Sequence, residues 1–526
     1  MCTMTGMSQA PEARWRWSRS PWVLAVVVAL VYAPSLAGGW LGFDDDWLVR
    51  DNELLNTRSA EVLPSMFGAF DRDTRLVLGA EYLPVRDLVT WIARAWLGLD
   101  AIGFRALSLG LYAVACATLL AWASTLGRDG YVHGVWLFAL HPVHAESVAW
   151  IAGLKDVLTL AFLAAALWLA AERAPARRLG AIACVFVACG CKSVAVVAPA
   201  FFLVAELLRG RGQDRVLLAG VTAVCVGWAA LHVWVGGRVG MIAEPLGATV
   251  LERLASALVL LARYVGLSFL VHPQSVVYEA EVHGLDVTGM GSFFLFLSLA
   301  GLASWQWRLG RRGPAALLLW FLASLAPVSQ VLAPLQNRLA DRYMLFAVWA
   351  PCAAAGLLLE LAMKRARPRL AALLLPSVAG ALAIASCARG LVFADPVALF
   401  GEASERTSTD PDPLVQLGDA FFARGQYSDA EAAYRAAIDR DGLRTASGRT
   451  AGNRLGRLLA GSAREEEAMA LYAVLVERYP GDPRALHNLA VLEERAGRAD
   501  LAAQHRASLA SRFPEYRSGA DRPGPL

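Results

Sequence analysis

The chain has 526 residues, 57% of them hydrophobic, a formal net charge of +4 and a mean hydropathy of +0.45. So apolar a chain is not a soluble globular protein; it is expected to be a polytopic membrane protein. The small net charge, with no basic run interleaved with aromatics, argues against a nucleic-acid partner.

A bilayer core takes about 20 apolar residues per helix. Candidate spans are 22–41, 101–124, 131–150, 155–171, 216–236, 254–271, 290–307, 314–333, 343–361 and 370–392. Residues 179–208, interrupted by Lys192 and Pro199, read either as one long span or as two short broken helices. The expected total is about eleven spans. Arg14, Arg16 and Arg19 precede a first stretch too long for a signal peptide, which ends in Gly38-Gly39-Trp40 without a clear cleavage site. It reads as an uncleaved span.

Arginine-rich loops at 173–178, 209–215, 308–312 and 364–369 join residues 1–21 on the cytoplasmic side by the positive-inside rule. The acidic stretch 41–100 then forms the first extracytoplasmic loop of a membrane domain over 22–392. Three candidate spans separate the 209–215 and 308–312 loops where an even number is required. Arg253 and Arg263 make 254–271 the least lipid-compatible of the three, so it is expected to be re-entrant or interfacial.

Polar clusters follow one another along the predicted outer side. The first is Asp44-Asp45-Asp46, with Asn52 close behind. Adjacent anions raise one another's pKa, so the run is either a solvated loop or a site. His141-Pro142-Val143-His144-Ala145-Glu146 ends the third span, and Lys155-Asp156 opens the fourth. The histidines read as a helix-end hydrogen-bond cluster or a metal pair. Glu146, Lys155 and Asp156 read as the lining of a polar cavity or as a Lys155–Glu146 pair pinning two helices. Lys192, isolated among apolar residues, suits a phosphate as a point charge or snorkels to the interface. Asn337, Arg338, Asp341, Arg342 and Tyr343 form another patch, whose arginines suit a lipid-linked phosphate or lipid headgroups. Tyr278, Glu279 and Glu281 add an outer acidic loop with no assigned role.

The cysteines, all but Cys2 in apolar segments, read as small core residues. Beyond residue 392 the composition turns charged and Ala-rich. Leu417-Gly418, Gly425, Ala430 and Tyr434 recur as Leu455-Gly456, Gly461, Ala468 and Tyr472, then as Leu489-Ala490, Gly497 and Ala502. The separations are 38 and 34 residues, the latter being the tetratricopeptide period. Residues 398–515 are therefore expected to form a short α-solenoid able to hold an extended peptide. Residues 516–526 are expected to be a disordered tail.

Phe43-Asp44-Asp45 with Asn52, the segment from His141 to Leu158, Cys191-Lys192-Ser193, Pro327-Val328-Ser329-Gln330 and Ala340-Asp341-Arg342-Tyr343 occur in that order. Together they resemble the transmembrane and tetratricopeptide-repeat protein O-mannosyltransferases and their bacterial relatives, of the type C glycosyltransferase superfamily. The chain departs from that pattern at Ser193 or Val194, where the family has Glu, at Asp341, where it has Glu, and at Leu154, where a charged residue is common. The resemblance implies an all-α fold: a polytopic membrane domain in a bacterial-type inner membrane, followed by tetratricopeptide repeats on the extracytoplasmic side. It implies transfer of a sugar, mannose in the leading reading, from a polyprenyl-phosphate donor to protein Ser or Thr hydroxyls. Asp44 or Asp45 would be the catalytic base. Lys192, Arg338 and Arg342 would hold the donor phosphate. Asn52, His141, His144, Glu146, Lys155, Asp156 and Tyr343 would line the substrate site. The expected partners are the lipid donor, membrane lipid and an acceptor polypeptide on the repeats. No metal is assigned, although the Asp run would admit a divalent cation. The rival readings are the same chemistry on a glycolipid or surface polysaccharide, and a non-catalytic membrane scaffold.

Overall fold

A computed structural model describes residues 16–240, 243–270, 273–332, 334–514 and 516. The expected disordered tail, apart from Tyr516, and Arg14 lie outside the described residues. Among the described residues every regular element is helical. The chain divides into two compact units, Met1–Asp395 and Pro396–Leu526.

Among the described residues of the first unit, five helices are long and apolar enough to cross a membrane: Ala101–Ser124, Ile151–Leu169, Arg215–Val239, Val287–Arg308 and Pro368–Val392. Asp341–Ala347 and Trp349–Arg365, bent by 54°, would together make a sixth. This is fewer than eleven because the other apolar segments are short, broken or charged. Pro21–Ala37 and Gly313–Val328 are apolar but shorter. Val250–Ser268 carries Glu252, Arg253 and Arg263; Thr249 and Glu252 cap its start, and Arg263 donates to the Glu279 carbonyl at 2.6 Å.

The expected span 131–150 is broken. Helix Asp129–Ala139 stops ahead of Pro142, which has no N–H to continue it, and a short turn Pro142–His144 leads into Ala145–Ala149. The break frees backbone carbonyls in an apolar interior, where leaving them unpaired is costly. Three hydroxyls take them: Tyr112 donates to Ala139 O at 3.1 Å, Ser386 to Leu140 O at 2.8 Å and Tyr32 to His141 O at 3.0 Å. Residues 179–208 are likewise two helices, Pro175–Cys191 and Ala198–Arg209, parted at Lys192, whose backbone is extended.

Helices Asp129–Ala139 and Trp349–Arg365 meet backbone to backbone. A Cβ on Gly134 would lie 2.6 Å from the Ala353 Cα, and one on Gly356 would run into the Gly130 carbonyl. Small residues four apart permit this approach, in which van der Waals contact rather than apolar burial holds helices together.

The second unit is a succession of helices, Pro396–Arg406, Asp412–Ala423, Tyr427–Asp441, Ala446–Gly461, Glu465–Arg478, Pro483–Arg495 and Ala499–Arg512, each packed on the next. One contact recurs: the Tyr434 ring lies over Gly418, and the Tyr472 ring over Gly456. Leu455, Leu459, Ala468, Met469, Tyr472 and Leu475 make part of its buried core.

Candidate functional site

The site begins with a backbone reversal at Gly42 and Phe43, both left-handed at φ 76° and 54°. Phe43 is not glycine, so the turn is held by its surroundings. Its ring packs 5.9 Å from that of Trp150. The reversal sends the three carboxylates in different directions. Asp45 is fully buried: its Oδ2 accepts the Leu41 N–H at 3.2 Å and its Oδ1 the Ala152 N–H at 2.9 Å. Burial pushes its carboxyl up to about 7, against the downward pull of those two donors. Asp46 pairs with Arg50 at 2.9 Å. Asp44 is half-buried, accepts the Trp47 indole N–H at 3.2 Å, and is among the charges acting on Arg342. The run does not converge on one point. Of the two carboxylates expected to be catalytic, Asp44 is the more exposed, and Asp45 ties the first loop to the turn ahead of Lys155.

Three cations lie near one another, each with an acid from another element, and Arg342 is the one that feels Asp44. Arg342 binds Glu146 through its side chain and through its backbone N–H, the latter at 2.8 Å. Lys192 binds Asp156. Lys155 binds Glu81 at 3.3 Å. The expected Lys155–Glu146 pair does not form, because Arg342 takes both Glu146 oxygens. Tyr343 joins two of the pairs: the Lys192 ammonium and the Arg342 guanidinium lie 5.6 and 5.5 Å from its ring centroid. Arg342 also lies 5.4 Å from the Trp150 ring centroid, and Lys155 and Arg342 both act electrostatically on Lys192. Glu146, Lys155, Asp156, Lys192, Arg342 and Tyr343 are thus one cluster, with Asp44 at its edge.

The other expected residues have different surroundings. Asn52 is spent on backbone: it caps Glu53–Asn56 by accepting from Leu55 N at 3.1 Å and donates to Trp47 O at 3.3 Å and Val77 O at 2.7 Å. His141 is buried, with Nδ1 accepting from Val143 N and Nε2 3.3 Å from Ser268 O. His144 is buried, its ring 4.5 Å from Phe138 and 5.6 Å from Tyr112. Both histidines are interior packing residues at the helix break. Arg338 has no ion pair with the described residues, and its solvent-shielded Nη1 finds no hydrogen-bond partner among them.

Three contributors, Glu81, Arg105 and Trp150, were not singled out from the sequence, and a fourth, Tyr278, was noted without a role. Glu81 carries the partner of Lys155. Tyr278, in the outer acidic loop, donates to Asp341 beside Arg342; burial and that carboxylate push its phenol above the ordinary range. Arg105, buried, donates to the carbonyls of Ser35, Gly39 and Phe393 at 2.9, 2.8 and 3.1 Å and so fixes the root of the Asp loop. Trp150 lies between Phe43 and Arg342. A charged Arg105 inside an apolar helix was a visible signal. Nothing in the local sequence marked Glu81 or gave Tyr278 its partner, because both partners are far away in the chain.

Chemically, the arrangement offers a reachable carboxylate able to take a proton and, beside it, cations able to stabilise a developing anion. No protein-family model matches the chain, and comparison with curated proteins finds no match. The reading of this site therefore stands on its geometry and on the motif residues themselves.

Proposed function

We propose that this protein is an integral-membrane glycosyltransferase of the type C kind, which moves mannose from a polyprenyl-phosphate carrier to Ser or Thr hydroxyls of proteins outside the cytoplasm. The observation that carries the reading is that Trp150 packs against both Phe43, next to half-buried Asp44, and Arg342, which brings the Asp loop beside the Lys192 and Arg342 cluster. Asp44 takes the acceptor proton as the hydroxyl attacks the anomeric carbon, and the cations stabilise the departing phosphate. The five long apolar helices support a multi-pass protein. The Arg-rich loops favour placing the Asp loop and the second unit outside the cytoplasm in a bacterial-type inner membrane. The Gly–Tyr contact that recurs 38 residues later supports a tetratricopeptide solenoid, whose concave face would hold the acceptor polypeptide.

The scaffold reading draws on one observation: Lys155, Lys192 and Arg342 are each already paired with an acid. Glycoproteomics of extracytoplasmic proteins with and without this chain separates the readings. Loss of hexose from Ser or Thr is expected. An unchanged glycoproteome with an altered surface glycan would move the acceptor to a glycolipid or polysaccharide, and no change in either would favour the scaffold.

A further inference from the structure

The three cation–acid pairs differ in how easily they can exchange partners. In the Lys192–Asp156 pair the side chains are 10% and 1% exposed, and in Arg342–Glu146 they are 11% and 1% exposed. Displacing either acid would strand a buried carboxylate without a counter-charge, which is strongly unfavourable. Lys155 and Glu81 are 19% and 39% exposed. Glu81 is the most exposed of the three acids, so displacing it costs less than displacing Asp156 or Glu146. An incoming anion can therefore reach Lys155 more cheaply than either of the other two cations.

The backbone around Glu81 is held on both sides, Tyr82 being buried with its hydroxyl on the Phe67 carbonyl at 2.8 Å, so displacement of Glu81 is a movement of its side chain. Gly79 and Ala80, just before it, are both left-handed at φ 87° and 64°, an uncommon conformation for alanine. The turn is anchored on its upstream side, where Val77 O accepts from Asn52, Leu78 O accepts from Arg86, and Ala80 N donates to Arg75 O at 2.6 Å. Glu81 lies at the end of this anchored turn. Lys155 has its own support. It lies in the first turn of helix Leu154–Leu169, whose N-terminal end favours anions, and Asp45 holds the Ala152 N–H three residues earlier. The loop that carries Asp44 is thereby fixed to the start of the helix that carries Lys155.

We propose that Lys155 is the cation that receives the donor's phosphate, and that Glu81 is a latch displaced by it. This rests on the glycosyltransferase reading above and assigns the phosphate contact within that site. A phosphodiester carries one negative charge, as Glu81 does, so the exchange leaves the charge of the cluster unchanged. Lys192 and Arg342, still neutralised by Asp156 and Glu146, keep the cluster intact while the latch is open. Closed, the latch keeps Lys155 from holding unproductive anions.

The test is equilibrium binding of farnesyl phosphate, with farnesol as the uncharged control, to the full chain in phosphatidylcholine nanodiscs. Wild type is expected to prefer farnesyl phosphate. Glu81→Gln, which removes the competing anion, is expected to bind it about 3-fold tighter or more. Lys155→Gln is expected to bind it about 10-fold weaker, and Lys155→Arg to retain binding. If wild type prefers farnesyl phosphate but Glu81→Gln does not tighten it, or Lys155→Gln does not weaken it, the latch is overturned and the phosphate site stands elsewhere in the cluster. If wild type does not distinguish farnesyl phosphate from farnesol, the donor reading falls as well. If phosphatidylglycerol in the nanodisc competes as well as farnesyl phosphate, Lys155 receives lipid headgroups and the donor assignment is overturned.

Discussion

Asp45 holds Ala152: its Oδ1 accepts that residue's N–H at 2.9 Å across more than 100 positions of chain, while its Oδ2 accepts the Leu41 N–H. The bond fixes the first loop to the turn that precedes Lys155 and leaves neighbouring Asp44 half-exposed. It divides the Asp run into a half-exposed carboxylate, the proposed base Asp44, a buried one in Asp45 that holds the loop, and, in Asp46, one paired with Arg50 near the surface.

The three carboxylates should separate on mutation. Asp44→Asn is expected to lose transfer activity by on the order of 10²-fold with an unchanged unfolding midpoint. Asp45→Asn keeps one acceptor oxygen where two are used, so activity and stability are expected to fall together. Asp46→Asn breaks only a partly exposed pair and is expected to change stability by about 1 kcal/mol or less. Parallel activity and thermal-unfolding measurements on the three variants check the ordering.

The raised carboxyl of Asp45 has a definite sign in a pH titration. An unfolded aspartate titrates near about 3.9, whereas in the fold Asp45 is held up at about 7 by burial. Between those values the folded protein keeps a proton that the unfolded chain has lost. The Asp45 contribution is thus most favourable below the unfolded value, declines as pH rises through the window, and levels off above about 7. The unfolding midpoint of wild type relative to Asp45→Asn is expected to fall from pH 5 to pH 8. A constant difference would show that Asp45 is not held protonated in the fold.

Glu146 and Arg342 form a buried pair, so removing either partner leaves a lone charge in the interior. Glu146→Gln and Arg342→Gln are each expected to destabilise by about 3–5 kcal/mol, and the double variant by clearly less than the sum. A double-mutant cycle on unfolding midpoints checks this. Additive losses would mean that the two residues are not coupled.

Close packing, against backbone at Gly356 and against an aromatic ring at Gly456, makes two glycines intolerant of a methyl group. Gly356→Ala, facing the Gly130 carbonyl, is expected to cost about 1–3 kcal/mol. In the second unit a Cβ on Gly456 would lie 2.5 Å from the Tyr472 ring, whereas one on Gly461 would meet nothing within 4 Å. Gly456→Ala is therefore expected to speed proteolysis of residues 396–514, and Gly461→Ala to leave it unchanged.

The helical character, the apolar segments and the membership of the ionic cluster were legible from residue types alone. Glu146, Lys155, Asp156, Lys192 and Arg342 stood out because charged groups beside apolar stretches are costly. Their pairing was not legible. Lys155 and Glu146 are close in sequence, but the break at Pro142 and the turn through Gly153 carry Lys155 toward Glu81, while Arg342 arrives from almost 200 residues away. His141 and His144 read as a helix-end hydrogen-bond cluster or a metal pair; His141 caps the turn after the break and His144 packs against Phe138. The role of Tyr278 depends on a loop meeting Asp341 from another part of the chain, which no local pattern reports.

The central claim is tested most directly by purified full-length protein in lipid, supplied with polyprenyl-phosphate mannose and a Ser/Thr-containing acceptor peptide, with mannosylated peptide measured by mass spectrometry. Wild type is expected to transfer the sugar, and a folded Asp44→Asn variant to be slower by on the order of 10²-fold. Equal rates for the two proteins would contradict the assignment of Asp44 as the base, and no transfer by the wild type to any Ser/Thr peptide would contradict protein O-mannosylation itself.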